Sequence, residues 1–79
     1  MFVLFGVISP YDGSYMLGVF ETLELAQQGR SDFRKEYWDK NKSEAYEYYE
    51  IYGPVVLNEL KELTTPVDTF IPGKTKRPK

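Results

Sequence analysis

The sequence predicts a small α+β domain in which one main helix packs on one face of a small antiparallel sheet. Two apolar runs separated by a dense turn signal, within residues 2–20, are typical of a β-hairpin. Apolar residues then recur at three- and four-residue spacing over residues 22–38, which indicates a helix. A later Tyr- and Val-rich stretch supplies a C-terminal strand, so the element order is ββαβ, or ββαβ(β) if that strand is split.

The hairpin is predicted from residues 2–20. Residues 2–8 are rich in Val, Ile and Phe, and a short apolar run follows over residues 15–20. Between them, residues 9–14 contain Pro10, an Asp12–Gly13 pair and two serines, which favour a turn. The sequence therefore predicts two strands joined by a loop of about six residues.

The helix is predicted to begin at Thr22, a good N-cap, and to end near Trp38 in the polar stretch 39–43. Glu24 falls in the first turn, where a negative charge is favourable. Gly29 lies on the apolar stripe, which suggests a close approach of the helix to the hairpin. The predicted stripe is Leu25, Ala26, Gly29, Phe33 and Tyr37, with Gln27, Gln28, Arg30, Asp32, Arg34 and Lys35 on other faces.

The signals over residues 43–63 conflict. Ser43 could cap a second short helix that stops at Gly53–Pro54, but residues 48–52 have strand composition. A helical stripe also fits Val56, Leu57, Leu60 and Leu63. Because an isolated hairpin is marginal, we predict a third strand within residues 48–60, with Gly53–Pro54 as a bulge or break.

Order is expected to fade from Thr64 onward. Phe70 and Ile71 are expected to pack back onto the body of the protein. Residues 73–79 contain Pro, Gly, Lys and Arg without apolar anchors, which is typical of a mobile terminus. The predicted organisation is one domain over residues 1–72 and a flexible, disordered basic tail over residues 73–79.

Composition argues against catalysis. The chain has no histidine and no cysteine, which removes the commonest general base, the thiolate nucleophile and most zinc ligand sets. The glycines follow no phosphate-binding pattern, and the carboxylates show no metal-ligand spacing. The prediction is a non-enzymatic protein with no cofactor and no metal.

The N-terminal run over residues 1–8 is apolar, but it lacks a basic region before it and a small-residue cleavage site after it. It is also far too short to span a bilayer. No membrane association is expected, and the absence of cysteine favours the cytoplasm.

An acidic, tyrosine-rich segment is the candidate for binding a protein partner. Residues 1–60 hold ten acidic and five basic side chains, net −5, whereas residues 61–79 hold two acidic and five basic, net +3. Tyr and Trp anchors among spaced carboxylates suit a recognition surface. The alternative is a purely structural role, in which Tyr49 and Ile51 face the core while other tyrosines partly cover a thin sheet. The predicted contact residues are Trp38, Glu44, Tyr46, Glu47, Tyr48, Glu50 and Tyr52.

Two further functions compete with protein binding. A nucleic-acid accessory protein would use the basic tail on phosphates, a weak and salt-sensitive contact, through Lys74, Lys76, Arg77 and Lys79. The acidic body argues against duplex binding as the main activity. A self-associating structural subunit is the third hypothesis.

Short structural motifs over residues 2–60 resemble a class of small uncharacterised phage and bacterial domains. The matching segments are residues 2–4, the turn at residues 11–13, Leu17–Thr22 at the helix entry, and Val56–Leu60. The resemblance supports a third strand and assigns no functional residue. It implies a phage accessory protein that inhibits or modulates a host enzyme or defence system, in the host cytoplasm.

Overall fold

The computed structural model describes residues 1–9, 11–55 and 65–72, which form one antiparallel sheet and one helix. This confirms the predicted α+β class and the ββαβ(β) order. Residues 73–79, and the helical stripe proposed within residues 56–63, lie outside the described residues. The elements are β1 (Phe2–Ser9), β2 (Gly13–Phe20), α1 (Leu23–Asn41), β3 (Tyr48–Tyr52) and β4 (Asp68–Phe70).

The sheet has the strand order β2-β1-β3-β4, and each neighbouring pair is antiparallel. Leu4 pairs with Gly18 on β2 and with Ile51 on β3. Since successive side chains of a strand point to opposite faces, Leu4 and Ile51 lie together under α1. The opposite face carries Val3, Phe5 and residues paired with them.

The β1–β2 connection is shorter than predicted, because Ser9 closes it with its side chain. The Ser9 hydroxyl accepts from the backbone N–H of Asp12 at 2.9 Å and donates to its carboxylate at 2.9 Å. Gly13 follows with a φ of 85°, a left-handed conformation that favours glycine. β2 therefore begins at Gly13, before the predicted start at Tyr15.

The predicted N-cap of α1 is confirmed: the Thr22 hydroxyl accepts from the backbone N–H of Leu25 at 3.1 Å. The helix continues past the predicted end at Trp38. It ends where Lys42 adopts a left-handed conformation and donates its N–H to the Trp38 carbonyl at 2.7 Å. The polar residues 39–41 thus belong to the last turn, where polar side chains cost little because they are exposed.

The core between α1 and the sheet is built on Leu4, Ala26, Tyr49 and Ile51, all essentially inaccessible to solvent. Partly buried apolar side chains surround this group. The predicted apolar stripe of α1 is wrong at one position. Leu25 is half exposed, and Leu23 packs against the core instead. The surrounding residues are Phe2, Leu17, Phe20, Leu23, Phe33, Tyr46 and Phe70.

Gly29 brings α1 close to the hairpin, as predicted. A Cβ at this position would overlap the Phe20 ring of β2. Gly6 of β1 has the same role toward the Tyr46 ring, which occupies the space that a side chain would fill. These two glycines let large rings lie directly on backbone.

The third strand is confirmed at β3, and Gly53–Pro54 follows its end. The expectation that order fades after Thr64 is wrong for residues 68–70, which form β4 by pairing with Tyr49–Ile51. Phe70 packs against the core as expected, but Ile71 is 76% exposed.

Candidate binding site at one end of the sheet

Five segments of the chain meet at one end of the sheet. Because all neighbouring strands are antiparallel, β1 and β4 finish where β2 and β3 start. The connection from α1 to β3, residues 42–47, returns to this same end. We call this region the loop end, and it comprises Ile8, Tyr11, Tyr15, residues 42–47, Ile71 and Pro72.

A surface pocket of about 250 Å³ lies at the loop end. Its wall combines apolar side chains with two carboxylates and a serine hydroxyl. A second hollow of about 200 Å³ lies on α1 and is lined by Phe33, Glu36, Tyr37 and Lys40. The first pocket is lined by Ile8, Ser43, Glu44, Ala45, Tyr46, Glu47 and Pro72.

A row of four aromatic rings connects the two hollows and reaches β2. Phe33 stacks against Tyr37 at 6.1 Å between ring centroids and against Tyr46 at 5.9 Å. Tyr46 in turn lies 6.1 Å from Tyr15. Stacked rings backed by a core are stiff, so this row presents a preformed surface.

A buried ion pair fixes the connection from α1 to β3. The guanidinium of Arg34 donates to the Glu44 carboxylate at 2.7 Å, and both side chains are at most 10% exposed. The Arg34 guanidinium also lies over the Phe70 ring, 4.4 Å from its centroid. Arg34 therefore ties the loop end to both α1 and β4.

Arg30 holds β4 in a related way, one turn earlier on α1. It donates to the Asp68 carboxylate and lies 4.7 Å from the centroid of the Phe70 ring. Gln27 donates to the same carboxylate at 2.8 Å. Burial raises the pKa of Asp68, but the hydrogen bonds from Gln27 and Arg30 and the Arg30 charge outweigh it and hold that pKa below its usual value.

The prediction that Gln27, Arg30 and Arg34 face away from the core side of α1 is therefore wrong for all three. Gln27 and Arg30 reach Asp68 on β4, and Arg34 reaches Glu44 in the 42–47 connection. Long polar side chains can approach a sheet wherever a carboxylate receives them.

Tyr49 places a hydroxyl beneath the aromatic row. Its ring is fully buried, and its hydroxyl has no hydrogen-bond partner among the described residues. Burial raises the pKa of Tyr49 well above its usual value, and the charge of Glu44 adds to that effect. Burial and the neighbouring Tyr15 and Tyr37 likewise raise the pKa of Tyr46. These phenols thus stay protonated and neutral at physiological pH.

The two most exposed large apolar side chains among the described residues lie at the loop end. Tyr11 is 97% exposed, Ile71 76% and Tyr15 53%, and Ile8 at the pocket wall is 37% exposed. A single exposed apolar residue is ordinary, but several around one pocket mark an interaction surface.

The structure divides the seven predicted contact residues among different environments. Glu44 and Tyr46 point inward at the loop end, and Glu47 is exposed on the pocket wall. Trp38 is partly buried on α1. The remaining three, Tyr48, Glu50 and Tyr52, alternate with Tyr49 and Ile51 and so lie on the sheet face opposite α1.

That opposite face has its own aromatic contacts. Phe5 and Tyr52 meet edge to face at 5.6 Å, and the Tyr52 hydroxyl donates to Glu50 at 3.2 Å. Burial is the main reason that the pKa of Tyr52 is raised. The role of all seven residues in partner binding stays a prediction, and the tail lysines and Arg77 lie outside the described residues.

Four exposed residues of the loop end are not among the contact residues predicted from the sequence: Ile8, Tyr11, Tyr15 and Ile71. Apolar residues in or beside predicted strands look like core, and only the turn position of Tyr11, between Pro10 and Asp12–Gly13, signals exposure. The exposure of Ile8, Tyr15 and Ile71 depends on how the strands pair, which brings segments together that are distant in the sequence.

Within the described ranges, no group of three or more acidic side chains is arranged to hold a metal ion. The described part of the chain also contains no helix long and apolar enough to cross a membrane.

The fold and the loop end define a small α+β domain with an aromatic surface pocket. No protein-family model, curated protein or solved structure matches the chain.

Proposed function

We propose that this protein is a non-enzymatic protein-binding module whose contact surface is the loop end. The observation that carries the proposal is a preformed pocket beside the two most exposed large apolar side chains of the described residues. Tyr11, Tyr15 and Ile71 are each more than half exposed there. Apolar surface exposed to water costs free energy that a partner recovers when it covers the surface.

The shape of the loop end favours a protein over a small molecule. Its pocket of about 250 Å³ is smaller than most ligand sites, which hold several hundred Å³. The exposed side chains lie around the pocket as well as within it, so a partner must cover a wider area. A protein partner that inserts one or two side chains and packs around them fits this arrangement.

Rigidity supports the same function. The aromatic row is fixed by Gly6 beneath Tyr46 and by the ion pair of Arg34 with Glu44. A partner therefore does not have to order these side chains on binding, which removes part of the entropic cost.

The loop end overlaps only in part with the contact surface predicted from the sequence. Tyr46 and Glu47 remain in it, whereas Glu44 serves mainly to position the 42–47 connection. The face that bears Tyr48, Glu50 and Tyr52 becomes the competing surface. Inhibition or modulation of a host enzyme or defence system, which the resemblance to phage domains implies, is the proposed consequence of binding.

Affinity capture from a bacterial lysate, quantified by mass spectrometry, tests the proposal with matched baits. The site variant is Tyr11→Ser/Ile71→Ser, at the loop end. The control is Leu25→Ser/Val67→Ser, which changes two residues that are about half exposed at the other end of the molecule. We expect one dominant protein, recovered at least about tenfold less by the site variant than by the unchanged chain or the control.

Circular dichroism should show that all baits are folded. Equal losses for both variants, or capture of no protein, would contradict the proposal. A loss confined to Tyr48→Ala/Tyr52→Ala would move the contact surface to the opposite face of the sheet.

A further inference from the structure

β2 is an edge strand with an unusual composition. In the described part of the chain it pairs only with β1, so its other edge presents backbone N–H and C=O groups. Its eight residues include no charged side chain and no proline. Residues 13–16 and Val19 are exposed.

Edge strands of this length usually carry lysine, proline or inward-pointing charges that prevent pairing with other chains. β2 has one protective feature, an extra residue at Leu17, because Leu4 pairs with Gly18 while Phe5 pairs with Met16. Such a bulge bends the strand and discourages open-ended stacking of many chains. It leaves outward-facing backbone groups on both sides of the bend.

Charges at the two ends of β2 indicate what can pair with it. Asp12 precedes the strand and Glu21 follows it, and both are exposed. Two copies of β2 paired antiparallel along their whole length would place Asp12 of each copy opposite Glu21 of the other. Like charges directly opposite each other destabilise a sheet, so a second copy is disfavoured.

We propose that β2 accepts an extended segment of another protein as a fifth strand, and that this segment has an uncharged core with Lys or Arg at both ends. The inference rests on the proposed binding function, because it specifies how the partner of the loop end is held. Main-chain hydrogen bonds would supply affinity, while the basic ends opposite Asp12 and Glu21 would supply selectivity.

Synthetic peptides test the proposal without a known partner. The probe has a core of alternating Thr and Val as long as β2, which has eight residues, and a Lys at each end. The comparison peptide has Glu at each end. We expect amide hydrogen exchange of β2 to slow with the Lys-ended peptide, and the Glu-ended peptide to bind about tenfold more weakly.

Methylation of peptide nitrogens tests the pairing itself. A paired strand points alternate N–H groups toward its neighbour, so one of two peptides methylated at odd or at even core positions should lose binding while the other keeps it. Equal binding by both peptides would overturn strand addition.

Charge variants test the selectivity. Asp12→Lys/Glu21→Lys should reverse the preference to the Glu-ended peptide. Asp32→Lys/Glu36→Lys, which makes the same change of net charge at two exposed positions on α1, should leave the preference unchanged. A preference that shifts equally in both variants would show an effect of net charge alone and overturn the proposed selectivity.

Other results separate this inference from the proposed function. Capture of a partner that leaves β2 exchange unchanged would overturn strand addition and leave the loop-end function intact. Peptide binding with the alternating methylation pattern, but no captured protein, would contradict only the loop-end function. Sedimentation showing a dimer that the Lys-ended peptide dissociates would assign the edge to a second copy and overturn the proposal.

Discussion

Tyr49 under α1 and Tyr15 at the loop end belong to one connected group of rings, since Tyr46 contacts both. Tyr49 is fully buried, whereas Tyr15 is 53% exposed. The covered face thus uses an aromatic ring to exclude water, while the loop end presents the same residue type to solvent. Residues of the first kind should determine stability, and residues of the second kind should be free to determine binding.

The largest expected effect is the contrast between Tyr49→Ala and Tyr15→Ala. Removing a fully buried ring leaves a cavity, so Tyr49→Ala should lower the free energy of unfolding by about 3–5 kcal/mol. Tyr15→Ala removes a ring that is already half hydrated and should cost less than about 1 kcal/mol. Urea unfolding followed by circular dichroism measures both. Equal losses would mean that the loop end is part of the structural core.

The buried ion pair offers the next test. Arg34→Met leaves the Glu44 carboxylate buried without its partner and should cost about 3 kcal/mol. The double variant Arg34→Met/Glu44→Met should recover most of that loss, because no uncompensated charge remains.

The matched control is Lys40→Met on the same helix, which removes an exposed pair with Glu36 at 3.4 Å. Its effect on the free energy of unfolding should stay within about 0.5 kcal/mol. If Lys40→Met lowered the free energy of unfolding as much as Arg34→Met, burial of the Arg34–Glu44 pair would not explain the loss.

Local chemistry made the first half of the fold predictable. Thr22 caps α1 through its own side chain, and the Asp12–Gly13 pair marks the turn of the hairpin. Both signals act over a few neighbouring residues, so one sequence is enough to recognise them. The close approach at Gly29 was also predictable, because a glycine inside a helix lowers its stability and on the apolar face leaves room for a neighbouring element.

The site depends on contacts between distant segments, which the sequence does not display. Arg34 looked solvent-facing because a charged residue is rarely buried, and only its pairing with Glu44 reverses that expectation. β4 is three residues long and exists because β3 supplies a pairing edge. Ile71 looked like core, yet it follows the last pairing residue and is exposed.

Gly6 links the two regions, because its backbone supports the Tyr46 ring. Gly6→Ala would place a methyl group in the space of that ring and should cost about 1–3 kcal/mol. The same change in a Tyr46→Ala background should cost much less, since the obstructing ring is gone. Equal costs in both backgrounds, measured by urea unfolding, would show that the ring contact is not responsible.

Tyr49→Phe tests the hydroxyl without removing the ring. A buried hydroxyl with no partner costs free energy, so its removal should raise the free energy of unfolding by about 1 kcal/mol at neutral pH. A loss of stability would instead show that the hydroxyl is hydrogen-bonded in solution, for example to a buried water.

The same variant has an alkaline signature. The pKa of Tyr49 is raised above its ordinary value of 10.0, so the unfolded chain releases this proton more readily than the folded protein. The free energy of unfolding is therefore unaffected by this proton below pH 10.0 and falls as the pH rises above that value. Tyr49→Phe should lose less stability than the unchanged protein between neutral and alkaline pH.

The smallest expected effect on stability is that of Ile71→Ser, and it makes the comparison between the two regions sharpest. Ile71 is 76% exposed and follows β4, so serine should change the free energy of unfolding by less than about 0.5 kcal/mol. If the loop end is the contact surface, the same substitution should weaken partner capture severalfold, because the apolar side chain is covered only in the complex. A large loss of stability would instead assign Ile71 to the fold, and the loop end would then lose one of the exposed side chains on which its proposed function rests.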